Sequence, residues 1–267
     1  DFQILTCTTY DNPYLPTDFV QRLEQTMSKS MLAQEVYAKI LRPVNVVYPS
    51  FSRKDHVVPY EHDRDTPFSI FADWGYSHPY FCFVAHLSSQ GEHDRDVIFH
   101  EFAADDIPEQ VLIDRIVEDV SKFSNVEPTY VVGDRAVPRM QQMMLRCFRS
   151  SRIKSMKSKD EQRIWQSTEV IRSRLEPAQG PPKLFCAESL LKKGFERGMI
   201  PMFEQLRRKI INGEQADVIH KDNVYDHAHD ALRYGMMTLH KRSSSGMEIH
   251  KDEPTGVYAR RMKAFGR

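Results

Sequence analysis

Apolar residues recur every third or fourth position in some stretches of the chain and every second position in others, and these two periods divide it into elements. Phe19, Leu23 and Met27 follow at four-residue spacing after Pro16-Thr17, and Leu32, Val36 and Ile40 repeat the pattern. Residues 1–42 therefore predict two short helices, preceded by a turn at Asp11-Asn12-Pro13. Such a pair is too small to stand alone, so it is expected to pack on the rest of the chain. Pro43 stops the helical run, and residues 44–51 predict a strand.

The next stretch is rich in strands. Phe68, Ile70 and Ala72 alternate with Ser69, Phe71 and Asp73. After a turn at residues 75–79, the runs 80–87 and 96–103 predict two more strands, and Ser88-Ser89-Gln90-Gly91 between them favours an antiparallel connection. A helix is expected next. Asp105 or Asp106 can cap it, Pro108 suits its first turn, and Ile107, Val111, Ile116, Val120 and Phe123 form one face. Residues 129–133 predict a short strand ending on Asp134. Residues 140–175 read as helical and basic, residues 176–182 as a loop, and residues 184–187 as a last short strand. The segment 188–211 reads as helical except near Gly198 and Pro201. A helix over residues 226–239 closes the fold, and the polar run beyond His240 reads as a flexible tail.

This order of three strands, a helix and a fourth strand sets an acid at the end of the first strand, Asp73, and of the fourth, Asp134. A third acid of interest, Asp230, stands on the last helix in Asp226-His227-Ala228-His229-Asp230-Ala231-Leu232-Arg233-Tyr234. Carboxylates suit Mg²⁺ and Mn²⁺, hard cations that prefer oxygen ligands. Two such ions about 4 Å apart can activate a water and stabilise the leaving 3′ oxygen of a phosphodiester. Clustered carboxylates repel one another, and a sheet interior tolerates them only where a cation or hydrogen bonds compensate. Each acid alone is also an ordinary turn, cap or surface residue. On the last helix, Val224, Ala228, Ala231, Leu232, Gly235, Met236 and Leu239 share one face and both aspartates take the other, the pattern of a solvated face, and a site lying beyond that polar face looks the same. Periodicity does not choose between Asp226 and Asp230.

Composition narrows the field. A chain of 267 residues can bury a real core and suggests one large domain, or one domain with an extension. A formal net charge of +0 argues against binding nucleic acid through overall charge, but not against a local basic face. One such face lies between Arg139 and Arg163, diluted by Asp160 and Glu161. Its Arg146, Arg149, Arg152, Lys154, Lys157 and Lys159 are candidate phosphate contacts that read no sequence. The four cysteines form no C-x-x-C and read as reduced thiols, and the eleven histidines form no H-E-x-x-H. No apolar run approaches the roughly 18 residues a membrane span needs. Phe2-Gln3-Ile4-Leu5-Thr6 reads as an internal strand and no signal peptide is visible, so the chain is expected to be a piece of a longer protein.

The motifs resemble those of one family. Thr8-Thr9-Tyr10-Asp11-Asn12-Pro13-Tyr14-Leu15-Pro16 and Gln34-Glu35 are similar to the segment joining the ATPase and nuclease parts of the large terminase subunit of tailed bacteriophages. Phe71-Ala72-Asp73-Trp74-Gly75-Tyr76-Ser77-His78-Pro79 resembles its first nuclease strand, Val131-Val132-Gly133-Asp134 its second acidic position, and the run 226–234 its last and most specific motif. The resemblance covers residues 1 to about 240. It implies an α/β, ribonuclease H-like fold with a central mixed sheet flanked by helices: a linker segment at 1–42, a nuclease domain at 43–240 and a tail at 241–267. It also implies an endonuclease that cuts concatemeric double-stranded viral DNA during packaging, with two Mg²⁺ or Mn²⁺ ions and little sequence preference. Asp73 then bridges the ions, Asp134 and Asp230 each hold one, His227 ligates or positions a ligand, and Asp226 stands behind them. The implied partners are DNA, the ATPase part of the same protein, the small terminase subunit and the portal, in the cytoplasm of the infected host. No Gly-x-x-x-x-Gly-Lys-Ser/Thr run occurs, so the motor's ATPase is absent from these residues. A resolvase or transposase of the same fold, and a non-catalytic DNA-docking module, are the alternative readings.

Overall fold

A computed structural model describes residues 7–16, 18–39, 45–75, 77–87, 95–134, 137–156, 161–191, 196–211, 214–221 and 223–240. The expected strand at 2–6, Ile40, Val44, the turn at 88–91, Lys157, Lys159 and the tail lie outside these residues. In chain order the elements are α1 (Phe19–Thr26), α2 (Lys29–Glu35), α3 (Arg53–His56), β1 (Val57–Val58), β2 (Phe68–Asp73), β3 (Tyr80–Leu87), β4 (Arg95–Ala103), α4 (Glu109–Phe123), β5 (Tyr130–Asp134), α5 (Pro138–Cys147), β6 (Arg152–Met156), α6 (Glu161–Leu175), β7 (Leu184–Ala187), α7 (Met199–Gln205), β8 (Arg208–Ile211), β9 (Glu214–Ile219) and α8 (Asp226–His240).

Among the described residues, seven strands form one sheet in the order β1-β7-β4-β3-β2-β5-β6. β3 runs antiparallel to both neighbours and every other pairing is parallel. The 4-3-2-5-6 core, with its second strand reversed and a helix crossing between the fourth and fifth, is a ribonuclease H-like mixed sheet flanked by helices. Both faces are covered, which is why β2 and β3 are buried over nearly their whole length. Phe68, Ile70, Ala72, Phe81 and Phe83 pack with the α4 and α5 side chains. Phe71, Cys82, Val84 and Val132 pack on the opposite face with α6, α7 and α8. Asp73 and Asp134 continue the parity of Phe71 and Val132, so the strands aim both acids toward the α8 face.

The two N-terminal helices form, the second ending at Glu35 with Val36 as its C-cap, and pack around a small cluster of Val20, Leu32 and Val36. Ser28 caps α2 and also donates to Glu169 Oε1 of α6 at 2.5 Å, which ties the helical pair to the main body. All four cysteines are free, with Cys82 and Cys186 buried. No helix among the described residues is long and apolar enough to cross a membrane.

Several expected elements differ. Residues 45–51 form no strand: Val46 makes an isolated bridge with Arg207, while consecutive Val47 and Tyr48 are both buried against the α7–α8 side. The predicted helix over 140–175 is interrupted by β6, an edge strand whose alternating Arg152-Ile153-Lys154-Ser155 completes the sheet beside β5. Among the described residues, the predicted helix over 188–211 is a short turn and α7, and its end is strand β8, paired with β9. Asn212-Gly213, a hairpin dipeptide, was the sequence signal for that change. The N-cap of α4 is Pro108, because Asp105 binds His78 and Asp106 adopts φ 49°. Its buried face is Leu112, Ile113, Ile116 and Val120, with Val111 half exposed.

Candidate active site

Three elements meet at one end of the sheet. β2 and β5 are parallel neighbours with Phe71 opposite Val132, and two residues further along that register stand Asp73 and Asp134. Adjacent strands lie about 4.8 Å apart, so the two acids leave the sheet side by side. The helix α8 crosses above them. Its Gly235 lies on the Phe71 ring so closely that an added Cβ would meet the ring carbon Cγ at 2.1 Å. The bare glycine thus sets the depth at which the first turns of α8 reach Asp73. A second glycine does similar work beneath: a Cβ on Gly133 would overlap the Trp74 indole, which fills the space under the two strand ends.

The first turns of α8 carry Asp226, His227 and Asp230. His227 Nδ1 lies 2.8 Å from Asp73 Oδ2, joining helix to strand. Asp226, which the resemblance places behind the metal-holding acids, is buried, and its Oδ1 has no hydrogen-bond partner among the described residues. His227 Nε2 is likewise buried without a partner among them and lies 4.0 Å from that oxygen. The polar face of α8 is therefore turned into the molecule, which decides between the two readings that the helical wheel left open. Asp230 is held differently. The guanidinium of Arg233, only 1% exposed, donates from Nε to Asp230 Oδ1 at 2.7 Å, and Lys221 Nζ stands 3.7 Å from Oδ2. His229, also buried, approaches Asp230 Oδ1 at 3.6 Å.

The electrostatics follow from these contacts. Burial pushes the Asp73 carboxyl above its usual range against the opposing hydrogen bond from His227, and the charges of Asp230 and Asp134 add to the rise. Burial alone would lower His227, but its bond to Asp73 and the charges of Asp73, Asp226 and Asp230 raise it above an ordinary histidine. Burial opposes ionisation of Asp230 too, yet His229 and Arg233 together hold its carboxyl well below the usual range. One acid of the set is thus strained toward its neutral form while another is held as an anion.

The donor chemistry suits a hard divalent cation: several carboxylates, an imidazole, and a buried carboxylate oxygen and ring nitrogen with nothing to bond among the described residues. As placed, the side chains do not close on one point, and no group of three or more acidic, histidine or cysteine ligands among the described residues is arranged to hold an ion. Arg233 and Lys221 hold the Asp230 oxygens instead.

Two neighbours of the site escaped sequence reasoning. Arg233 follows Asp230 at i+3, a spacing that places the two side chains together on a helix and could have been read as a pair. His78, in the turn after β2, has its ring 5.3 Å from that of His227 and its Nδ1 2.6 Å from Asp105 Oδ1; nothing in the spacing signalled this. The basic candidates spread along the β6 side. Arg146, Arg149, Arg152 and Lys154 are exposed. Arg152 pairs with Tyr130, at the strand end away from the acids, and its guanidinium stacks over that ring at 5.7 Å. Lys154 pairs with Val132, two residues before Asp134.

No protein-family model matches the chain, and neither does any curated protein sequence. Solved structures do resemble it. The large terminase of a thermophilic bacteriophage, in one crystal form, matches with a TM-score of 0.62 and 17% identity over 87% of this chain and 54% of that one. A second crystal form of the same protein gives 0.63 and 16%, over 87% and 53%. The g2p large terminase nuclease domain of bacteriophage SPP1, with bound Mn, gives 0.49 and 12%, over 73% and 99%. The chain spans about half the length of the thermophilic phage terminase. At these identities the likeness is one of fold: the chain is ribonuclease H-like, and its structural neighbours are phage large terminases.

Proposed function

We propose that this chain is a metal-dependent endonuclease that cuts concatemeric double-stranded viral DNA during genome packaging, with little sequence preference. One observation carries the reading. Asp73, Asp134, Asp226 and Asp230 gather with His227 at the acid-bearing end of a ribonuclease H-like sheet, and two buried polar atoms of this group are left without partners among the described residues. Asp73, Asp134 and Asp230 would hold Mg²⁺ or Mn²⁺, two ions in the productive complex, with Asp73 shared between them. The chemistry such ions would supply there is an activated water and charge neutralisation at the leaving 3′ oxygen.

The protein's own groups prepare that state. His227 fixes Asp73 from above and carries part of the charge that the raised Asp73 would otherwise bear unaided. Arg233 keeps Asp230 ionised and in one orientation. Asp226 stands behind His227, where its charge favours the protonated imidazole. Arg146, Arg149, Arg152 and Lys154 take duplex phosphates along the β6 side, and Lys157 and Lys159, which follow in the sequence, are proposed for the same role. In the division proposed, residues 1–42 link to an ATPase part, residues 43–240 cut, and the tail beyond serves partners such as the small terminase subunit and portal, all in the cytoplasm of the infected host.

The test is digestion of supercoiled plasmid by the purified chain in Mn²⁺, in Mg²⁺ and in EDTA, beside Asp73→Asn and Asp230→Ala. Nicking that needs both the metal and both aspartates is the expected result. A folded wild-type chain that binds plasmid in all three conditions and never cuts it overturns the nuclease reading in favour of a docking module.

A further inference from the structure

Beside the acids lies a cavity that the site as described leaves without a role. Its volume is about 360 Å³, near the lower end of small-molecule pockets and in the range of a single nucleotide. Three kinds of surface line it. Ile164 of α6 with Val218 and Ile219 of β9 makes an apolar wall. Lys209 of β8 and Lys221, just after β9, supply two exposed ammonium groups, and Lys209 has no ion-pair partner among the described residues. Asp226 and Asp230 form the third side, and the partnerless Asp226 Oδ1 belongs to this lining residue.

These surfaces match the parts of a nucleotide. Ammonium groups neutralise a phosphate, an apolar wall takes the face of a base and the sugar carbons, and a lone carboxylate oxygen accepts from a base N–H. A free small anion would leave the apolar wall and the buried oxygen unused. The cavity shares Asp226 and Asp230 with the proposed cutting site, so a chain entering it is continuous with the phosphodiester there. We propose that the β8–β9 hairpin, α6 and the start of α8 form a subsite for one nucleotide of the strand being cut, its phosphate on Lys209 and Lys221 and its base against Val218 and Ile219. The inference rests on the nuclease reading for the identity of its ligand, and it adds a consequence: the enzyme engages an unpaired nucleotide next to the cut.

The test is done in EDTA, where no cleavage occurs. Fluorescence anisotropy measures the affinity of a labelled single-stranded deoxyhexanucleotide for wild type, Lys209→Ala and Val218→Trp. A second hexanucleotide series carries one abasic site at each position in turn. Lys209→Ala is expected to bind about tenfold more weakly, as the loss of one charge-assisted contact requires, and to lower the salt slope by about 0.7. Val218→Trp, which fills the cavity without changing charge, is expected to weaken binding similarly, and one abasic position to do so selectively. In Mn²⁺, Lys209→Ala should raise KM for plasmid more than it lowers kcat. Wild-type affinity and slope in Lys209→Ala, or equal affinity for every abasic hexanucleotide, overturns the subsite. The two readings fail separately: a chain that binds through Lys209 but never cuts loses the nuclease and keeps the subsite, and one that cuts while Lys209→Ala binds as wild type does the reverse.

Discussion

The two ends of α8 hold buried carboxylates in opposite conditions. At its C-terminal end, Asp96 of β4 is 2% exposed and fully engaged: His86 Nδ1 lies 2.8 Å from one oxygen, and His240 Nε2 at 2.8 Å and Arg174 Nη2 at 2.7 Å lie beside the other. Burial opposes its ionisation, but these three partners hold its carboxyl well below the usual range. At the N-terminal end, Asp230 is engaged in the same way, by His229, Arg233 and Lys221, but Asp73 is pushed up and Asp226 Oδ1 has no partner among the described residues. Both clusters mix aspartate, histidine and arginine, so residue type does not separate them. What separates them is satisfaction. A buried charge with every oxygen bonded holds the fold together, whereas buried acids left short of partners are arranged for something that arrives later.

The comparison can be broken at either end. The largest effect expected is at Asp73: Asp73→Asn should cut plasmid nicking to less than about a thousandth of wild type, because the metal's contribution of several kcal/mol is lost. Circular dichroism should remain native. Asp96→Ala is the mirror experiment. Removing the carboxylate from beside the buried Arg174 should cost about 3–5 kcal/mol, a fall in Tm of roughly 10 °C, while folded protein at low temperature still cuts. Acid titration sharpens the same point. A carboxyl depressed in the folded state contributes stability that is present above its unfolded value, about pH 3.9, and is lost as the pH falls below it toward the depressed folded value. Asp96→Ala should therefore flatten the acid limb of the wild-type stability curve.

Gly235→Ala is expected to come next, at about 1–3 kcal/mol, since its methyl must displace the Phe71 ring or lift α8. It should lower nicking as well as Tm, because the lifted helix carries Asp230 away from Asp73. A smaller effect has the opposite sign. The folded Asp73 carboxyl is raised, so the protein loses stability as pH climbs from the unfolded value through the folded one, and at pH 7 the ionised group is a standing cost. In EDTA at pH 7, Asp73→Asn should therefore raise Tm by calorimetry rather than lower it. Equal or lower stability in that variant would remove the distinction between the two ends. The smallest change is expected at the β6 side, where Arg149→Ala and Arg152→Ala should each weaken duplex binding only a few-fold and lower the salt slope by about 0.9.

Strand-borne features were legible in the residues. Phe68 to Asp73 and Tyr130 to Asp134 are short apolar runs closed by an acid, and a parallel register places those acids together almost automatically. The helical acids were harder, because a wheel records only which residues share a face. It could not show that the polar face of α8 turns inward, nor that Asp226 and Asp230 are both buried or nearly so. The β8–β9 hairpin was lost for a related reason: Arg208-Lys209-Ile210-Ile211 is too short for its period to outweigh the helix before it, although Asn212-Gly213 marked the turn. With it went Lys209, Lys221 and the cavity. Arg233 and His78 depend on three-dimensional approach to Asp230 and His227, and one sequence carries only the first as a spacing.

Divalent-metal binding divides the two ends most directly. Mn²⁺ titration followed by electron paramagnetic resonance, without DNA, should be made on wild type, Asp73→Asn and Asp96→Asn. The expected result is that wild type and Asp96→Asn remove Mn²⁺ from solution alike, while Asp73→Asn leaves it free. Binding that survives in Asp73→Asn, or a wild type that takes up no Mn²⁺ at millimolar concentration, would contradict the assignment of the acid-bearing end as the metal site.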